Sequence, residues 1–153
     1  MASAVEQFWK AYLKTLPPEF QGKRCFEVFH FGNREEMANR LAALVVKRIK
    51  TATSGLLWEL EASGKPVVAV GDLSIVTNWD QSPVCVIETI EVKIVAFNRV
   101  DAQFVYDEGE RDRTMRFWNT NMWEWYTEEC RALGRTAVRE MPIVCERFRV
   151  VFP

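Results

Sequence analysis

Two long runs rich in valine and isoleucine occupy the middle of the chain, and they constrain the fold more than any other feature. "PVVAVGDLSIVTNWD" (66–80) is followed almost at once by "PVCVIETIEVKIVAF" (83–97), with the turn-like "NWDQS" at their junction. Runs of β-branched residues bounded by Pro, Gly, Asn and Asp are typical of strands. The two runs therefore predict neighbouring strands, and Gly71-Asp72 interrupts the first of them.

Helical patterns precede this β-rich centre. "VEQFWKAYLKTLPP" (5–18) has apolar residues at helical spacing and ends at two prolines, whereas "CFEVFHF" (25–31) suits a short strand. "NREEMANRLAALVV" (33–46) predicts a helix that Asn33 caps, with Glu36 reaching back to the cap. The first third of the chain thus predicts two helices separated by a strand.

The remaining elements follow no regular βα alternation. A helix is predicted from about Ser54 to Ala62, and another over 112–134 with Asp112 as its cap, before "MPIVCERFRVVF" (141–152) closes the chain as a strand. This order predicts an α+β fold with a small mixed sheet or barrel, and it argues against a doubly wound parallel sheet. The length predicts a single domain over 1–153.

Composition narrows the classes of function. The chain has no apolar run of membrane-spanning length and no secretory signal pattern, so a cytoplasmic protein without membrane contact is expected. Its four cysteines are widely spaced, which indicates reduced, buried thiols and no zinc site. The formal net charge of −1 favours a single nucleoside or short single-stranded element over a long duplex. No cofactor and no bound metal are expected.

The segment "KRIKTATSGLLWEL" (47–60) is the first candidate site. If a helix begins near Ser54, its free N–H groups would stabilise an anion, and the Thr51 and Thr53 hydroxyls lie beside them. Lys50, held near neutral by burial or by neighbouring cations, could act as a base toward the Thr53 hydroxyl. The alternative from spacing alone is a capped helix with a solvated lysine.

The acidic segment "YDEGERD" (106–112) is the second candidate. Its clustered carboxylates can raise one another's pKa, which suits an acid–base residue, or they can bind Mg²⁺ or Mn²⁺. Gly109 is compatible with a tight turn that directs Glu110 inward. The alternative is a solvated acidic loop ahead of a helix.

Aromatic residues offer further candidates. Trp79 stands in the "NWDQS" turn, where a nucleobase could stack on it, although a tryptophan folded onto the sheet edge explains it equally well. The stripe that includes Trp118, Met122 and Trp125 is typical of a core. The single histidine, His30, is interpreted as hydrogen-bonded and partly buried.

Segments distributed over nearly the whole chain resemble the ASCH domain family, the ASC-1 homology group of the PUA-like superfamily. They include "FHFGN", "KTATSGLLWELEASGKPVVAVGD", "PVCVIETIEV", "YDEGERDRTMRFW" and "MPIVCERFRVVF", in the family's order. Lys50 and Thr53 match the lysine and threonine of the family's Gly-x-Lys-x-x-Thr motif. Arg48 replaces its glycine, a departure expected to alter the backbone before Lys50. The resemblance implies a small mixed β-barrel flanked by helices.

The resemblance also implies chemistry. Some short ASCH proteins are amidohydrolases of N4-acetylcytidine, and others are RNA-binding proteins or ribonucleases. An amidohydrolase of this type would use Lys50 as base, Thr53 as nucleophile and Glu110 as proton shuttle, with the N–H groups at Ser54 and Gly55 as oxyanion donors. A non-catalytic RNA-binding module remains an alternative, as does a divalent-metal ribonuclease that uses Asp107, Glu108, Glu110 and Asp112. The residues expected to contact a modified nucleoside or RNA are Thr51, Ser54, Trp79, Tyr106, Glu108 and Arg113.

Overall fold

The computed structural model describes residues 1–153. The strands are β1 (Glu27–Phe29), β2 (Ala52–Leu56), β3 (Leu73–Thr77), β4 (Pro83–Ala96) and β5 (Pro142–Phe152). The helices are α1 (Ala4–Lys14), α2 (Glu35–Val46), α3 (Leu57–Ser63), α4 (Ala102–Glu108), α5 (Met115–Phe117) and α6 (Trp123–Ala132). A π-helical segment (Trp118–Met122) joins α5 to α6, and short 3₁₀ turns occur at Pro18–Phe20 and Phe97–Arg99.

The five strands form one mixed sheet in the order β1-β3-β4-β5-β2. β1 runs parallel to β3, whereas β3 pairs antiparallel with β4 and β2 pairs antiparallel with β5. The α+β class and the mixed sheet expected from the sequence are confirmed. β2 is an edge strand, so every second N–H group along it points away from β5.

Contacts within the chain define two compact units. The first comprises Met1–Arg48, Val70–Ile90 and Phe148–Pro153, and the second comprises Ile49–Ala69 and Glu91–Arg147. In the first unit, α1 begins at a capping box formed by Ser3 and Glu6. Its apolar face packs beside Ile75 and Val86, while residues of α2 form a separate cluster with Phe31 and Cys85.

Aromatic side chains build the core of the second unit. Trp118 is fully buried, its ring stacks on Phe97 with centroids 4.9 Å apart, and its Nε1 donates to the Phe97 carbonyl at 3.0 Å. Tyr126 packs edge-on against both rings. The predicted aromatic stripe is therefore core, and burial of these large rings fixes α5, the π-helical segment and α6 in place.

The helix predicted from Ser54 is wrong at its start. Residues 52–56 form β2, with Ser54 opposite Cys145 and Gly55 opposite Val144, and α3 begins only at Leu57. Pairing with a distant strand outweighs the local helical pattern here, because β5 supplies backbone partners that the sequence does not reveal. The end of α3 at Gly64, in the left-handed conformation, agrees with the sequence.

Two predicted caps are also wrong. α2 has Arg34 at its N-cap position, without a side-chain cap, and Glu36 instead pairs with Arg34 and Arg40. Thr114 caps α5 by accepting from the Phe117 N–H, while Asp112 accepts from the Thr114 N–H and hydroxyl. Short polar side chains compete for the same N–H groups, so sequence locates a cap only to within a residue or two.

None of the helices is long and apolar enough to cross a membrane. All four cysteines are free thiols; Cys85, Cys130 and Cys145 are buried, and Cys25 is half-buried.

Candidate functional site

Lys50 is the centre of the candidate site. Its side chain is 1 % exposed, which is unusual for a lysine, and it lies two residues before β2. The Nζ donates to the Ala52 carbonyl at 3.0 Å, the Glu108 carbonyl at 3.2 Å and the Glu110 carboxylate at 2.9 Å. Three oxygen acceptors match the three protons of an ammonium group. The Lys50 amino group therefore lies in a buried position against one carboxylate and two backbone carbonyls.

A close backbone approach brings the acidic segment to Lys50. α4 ends at Gly109, which has φ +69°, and a Cβ at this position would lie 2.7 Å from the Ile49 carbonyl oxygen and 3.0 Å from the Lys50 Cα. The Thr51 N–H donates to the Asp107 carbonyl at 2.8 Å in the same region. The glycine thus permits both the left-handed turn and the contact, and Glu110 follows it directly.

Glu108 lies beside this pair and is buried as deeply as Lys50. The Ser54 hydroxyl is a neighbour that lowers the pKa of the Glu108 carboxyl, and its oxygen is 2.6 Å from the Tyr126 hydroxyl oxygen. The Oε1 atom of Glu108 is buried without a hydrogen-bond partner. A chain of polar groups therefore runs inward from Glu108 through Ser54 to Tyr126.

Burial is the largest cause of the pKa shifts of Glu108 and the groups around it. It raises the pKa of Glu108 to about 8; the Lys50 charge lowers the pKa, the Glu110 charge raises it, and the Ser54 hydrogen bond lowers it. Burial, followed by the Glu108 charge, raises the pKa of Tyr126 well above its ordinary value. Burial likewise raises the pKa of Cys145 to about 12, and Glu108 contributes there too. Of Glu108, Tyr126 and Cys145, Glu108 is therefore the group with the pKa nearest to neutral pH.

The other two carboxylates of the acidic segment have separate partners. Asp107 forms an ion pair with Arg147, which also pairs with Glu91 at 3.0 Å. Asp112 accepts from Thr114 at the start of α5. No group of three or more His, Cys, Asp or Glu side chains is arranged to hold a metal ion.

Tyr106 and Arg113 form a stacked pair at the surface. The Arg113 guanidinium lies 3.5 Å from the centre of the Tyr106 ring, and its Nε donates to the Tyr106 carbonyl at 2.8 Å. The Arg113 N–H donates to the Glu110 carbonyl at 2.9 Å, so the pair adjoins the lysine–carboxylate site. Tyr106 remains 51 % exposed. Among the predicted binding residues, this pair offers a flat, cationic face to solvent.

The other predicted site residues have different surroundings. Thr53 is half-buried on β2 opposite Glu146, and it faces the other side of the strand from Ala52 and Ser54. The Thr51 hydroxyl donates to the Asp107 carbonyl at 3.3 Å. The proposed oxyanion donors at Ser54 and Gly55 are not at a helix start, because both residues belong to β2.

Trp79 belongs to the first unit. Its ring centroid lies 4.9 Å from that of His30. The Trp79 backbone N–H donates to the Asn39 side-chain oxygen at 3.0 Å. The ring is 39 % exposed. His30 is half-buried, with Nδ1 3.2 Å from the Phe31 carbonyl oxygen.

Arg48 stands where the family motif has a glycine, and it has an unusual backbone conformation. It has φ +60°, in the left-handed region, and its N–H donates to the Val45 carbonyl at 3.0 Å just after α2. Glycine adopts this region without strain, whereas an L-residue such as Arg48 is strained there.

Sequence reasoning missed two members of this network. Tyr126 lies in the aromatic segment that the sequence indicates as core, and the available signal was that a buried tyrosine hydroxyl requires a hydrogen-bond partner. Arg147, on β5, gave no local signal because its partners Asp107 and Glu91 are 40 and 56 positions away (147 − 107 and 147 − 91).

The fold and the site together define the class: an α+β domain with a mixed sheet and a buried lysine–glutamate pair. A sequence model of the ASCH domain matches residues 27–152. The chain belongs to the ASCH domain family, which has a PUA-like fold and is often linked to RNA binding.

Solved structures agree with this assignment. The crystal structure of an ASCH domain from Lactobacillus crispatus JV V101 superposes with a TM-score of 0.93 at 31% identity, covering 100% of this chain and 97% of that one. The crystal structure of a protein from Enterococcus faecalis V583 superposes with a TM-score of 0.88 at 29% identity, covering 99% of this chain and 90% of that one. A search of curated proteins finds no match.

Proposed function

We propose that this ASCH protein hydrolyses the amide bond of an acylated nucleoside, of which N4-acylated cytidine is the type. The observation that carries the proposal is the buried Lys50 ammonium held by Glu110, whose side chain is 18% exposed. Burying a lysine beside a partly exposed carboxylate costs desolvation free energy. Buried ionisable pairs of this kind concentrate at functional sites. The motif match at Lys50 and Thr53 and the family's amidohydrolases supply the reaction class.

The proposed chemistry begins with a proton transfer inside the ion pair. When the Lys50 ammonium gives one proton to the Glu110 carboxylate, the pair becomes an amine and a carboxylic acid without separating. The amine then accepts the hydroxyl proton of Thr53 as that oxygen attacks the acyl carbon. Glu110 returns its proton to the leaving amine, which departs as the neutral nucleoside.

Water completes the cycle. It attacks the acyl–Thr53 ester and gives a proton to Glu110, while the Lys50 ammonium protonates the departing Thr53 oxygen. A proton then passes from Glu110 to Lys50 and restores the resting pair. Outward-facing N–H groups of the edge strand β2 replace the helix start as the proposed oxyanion donors.

Base recognition is assigned to Tyr106 and Arg113. An exposed tyrosine with a guanidinium against one face can stack a nucleobase, a contact worth about 1–3 kcal/mol. The near-neutral protein charge of −1 favours a nucleoside or a short single strand over long RNA.

The deciding experiment is mass-spectrometric turnover of a panel of acylated nucleosides. Turnover by Lys50→Met and Glu110→Gln should fall at least about a hundredfold. Thr53→Ser should retain measurable activity, whereas Thr53→Ala should not. Lys93→Met is the matched control, because Lys93 also pairs with a carboxylate, Glu91 at 3.2 Å, but is 68% exposed. Full activity of Glu110→Gln would contradict the mechanism.

A non-catalytic RNA-binding module is the second candidate, favoured by the stacked Tyr106–Arg113 pair. It predicts no turnover of any nucleoside and salt-sensitive binding of a single-stranded RNA ladder that Tyr106→Ala weakens. Assays repeated with EDTA test the third candidate, the metal-dependent ribonuclease. Loss of RNA cleavage in EDTA would favour that function, whereas amide hydrolysis is expected to be unaffected by EDTA.

A further inference from the structure

Glu108 stands apart from the proposed reaction, which uses only Lys50, Thr53 and Glu110. Its side chain is 1% exposed, its Oε1 has no hydrogen-bond partner, and its own backbone carbonyl accepts from Lys50 Nζ at 3.2 Å. An anionic carboxylate with an unpartnered buried oxygen is far more costly than a neutral acid whose carbonyl oxygen lacks a partner. The burial geometry therefore favours the protonated form.

The neighbouring hydroxyls accommodate either charge state of Glu108. When the carboxyl is protonated, its O–H can donate to Ser54, and Ser54 can donate to Tyr126. When the carboxyl is ionised, both bonds reverse, because Tyr126 donates to Ser54 and Ser54 donates to Glu108. The 2.6 Å contact between the Ser54 and Tyr126 hydroxyl oxygens permits both directions.

We propose that Glu108 is a positioning residue that holds a proton beside the Lys50–Glu110 pair, and that its ionisation switches the pair off by adding a second negative charge next to Lys50. With Glu108 neutral, one ammonium faces one carboxylate, and a proton can move between them. With Glu108 ionised, two carboxylates hold the Lys50 proton, and its transfer to Glu110 is disfavoured. The catalytic consequence rests on the proposed function; the titration itself does not.

All titratable groups that interact with Glu108 belong to this region. They are Lys50 ahead of β2, Glu110 after α4, Tyr126 on α6 and Cys145 on β5. Tyr126 and Cys145 have pKa values raised by burial, to about 12 for Cys145, so both stay neutral while Glu108 titrates near pH 8. Of these three buried groups, Glu108 is therefore the one whose charge changes near pH 8 beside the Lys50–Glu110 pair.

The test follows the side-chain carboxyl carbon of Glu108 by NMR across pH 4–10 in protein labelled with ¹³C-glutamate. Glu108→Gln identifies the resonance by removing it. In the parent protein the midpoint should lie near pH 8. Glu110→Gln removes a negative neighbour and should lower the midpoint, whereas Lys50→Met removes a positive neighbour and should raise it, each by about one pH unit.

Glu129→Gln is the matched control. Glu129 is also a carboxyl with a pKa raised by burial, but it bonds Trp125 and interacts with Glu59 instead of Lys50. The Glu129→Gln variant should leave the titration midpoint of Glu108 unchanged. A Glu108 midpoint in the ordinary acidic range, or one that Glu110→Gln leaves in place, would overturn the proposal; the Glu110→Gln arm suffices if Lys50→Met does not fold.

Turnover adds a second readout where the proposed function holds. The parent should lose about tenfold in kcat between pH 7 and pH 9, because the ionised form of Glu108 dominates there, and Glu108→Gln should lose little. If no acylated nucleoside is hydrolysed, the proposed function fails while the NMR titration still decides the role of Glu108. If turnover is observed but its pH dependence is the same in Glu108→Gln, only the switch is refuted.

Discussion

Gly109 determines whether the lysine and the carboxylate can meet. It combines a positive φ with a backbone contact to Ile49 and Lys50 so close that no Cβ fits. Gly134, after α6, is the comparable glycine: it also has a positive φ, +71°, but a Cβ added there would meet no other atom within 4 Å. The two glycines therefore separate the effect of conformation from the effect of contact.

Gly109→Ala should lower the free energy of unfolding by about 2–4 kcal/mol, because left-handed strain adds to a backbone clash. Gly134→Ala should cost only about 1 kcal/mol, from strain alone. Urea unfolding of both variants measures the difference. Equal losses in the two variants would mean that the approach of Gly109 to Lys50 is not tight in solution.

Arg48 is the residue at which the chain differs from the family's Gly-x-Lys-x-x-Thr motif, because it stands at the position of the glycine. Its φ of +60° strains an L-amino acid at the position after α2 where glycine is favoured, whereas the preceding Lys47 has an ordinary φ of −76°.

Arg48→Gly is expected to raise the free energy of unfolding by up to about 1 kcal/mol, because glycine relieves the strain. Lys47→Gly, one residue earlier, should lower it by about 0.5–1 kcal/mol, since there glycine only adds freedom to the unfolded chain. Thermal or urea unfolding of the two variants should therefore give opposite signs, and a loss in both would refute the strain.

At the scale of secondary-structure elements, the position of α4 determines the site, because Glu108 is the last residue of this helix and Glu110 follows it. Asp101 caps its start by accepting from the Phe104 N–H at 2.8 Å, and Gly109 ends it. Arg147 of β5 fixes its last turn through Asp107, with both side chains mostly buried. Arg149, two residues further along β5, pairs with Glu88 but is 66% exposed.

Replacing Arg147 with Met should lower the free energy of unfolding by about 1–2 kcal/mol, because it leaves the partly buried Asp107 without its cation. Arg149→Met should change it by no more than about 0.5 kcal/mol, since an exposed pair is screened by water. Chemical denaturation measures both, and the same ranking should appear in low and moderate salt. A smaller effect at Arg147 than at Arg149 would show that this contact does not anchor α4.

Element prediction succeeded where local pattern and burial coincide. The aromatic stripe around Trp118, the Val- and Ile-rich strands and the stop at Gly64 follow from periodicity and from glycine conformation. β2 was missed because a short run of Thr, Ser and Gly has weak preferences, and its strand character comes from pairing with residues 143–147. Within the first Val-rich run (66–80), only Leu73–Thr77 forms a strand, and the apolar residues ahead of Gly71 do not.

Across the whole molecule, the raised pKa of Glu108 makes stability depend on pH. The folded protein keeps this proton up to about pH 8, whereas an unfolded chain releases it near the ordinary value of 4.5. Between these values the folded state binds more protons, so the contribution of Glu108 to stability is full at acidic pH and is lost as the pH rises.

The free energy of unfolding of the parent, minus that of Glu108→Gln, should therefore decline between pH 5 and pH 8, by at most about 1.4 kcal/mol per pH unit. The difference should level off above about pH 8, where the folded protein also releases the proton. Urea unfolding at successive pH values measures it, and the other titrating groups cancel in the subtraction. A difference that rises with pH would show that Glu108 is ionised in the folded protein.

By itself, the sequence determined the α+β class, the core aromatic residues and, through the motif and the acidic segment, the pairing candidates Lys50 and Glu110. These depend on local pattern, which the chain carries wherever it folds. The tertiary structure decided that Lys50 is buried against three oxygen acceptors, that residues 52–56 are a strand and that Glu108 is buried with one carboxyl oxygen unpartnered. Those properties arise from burial and from partners dozens of positions away, and neither exists until the chain has packed.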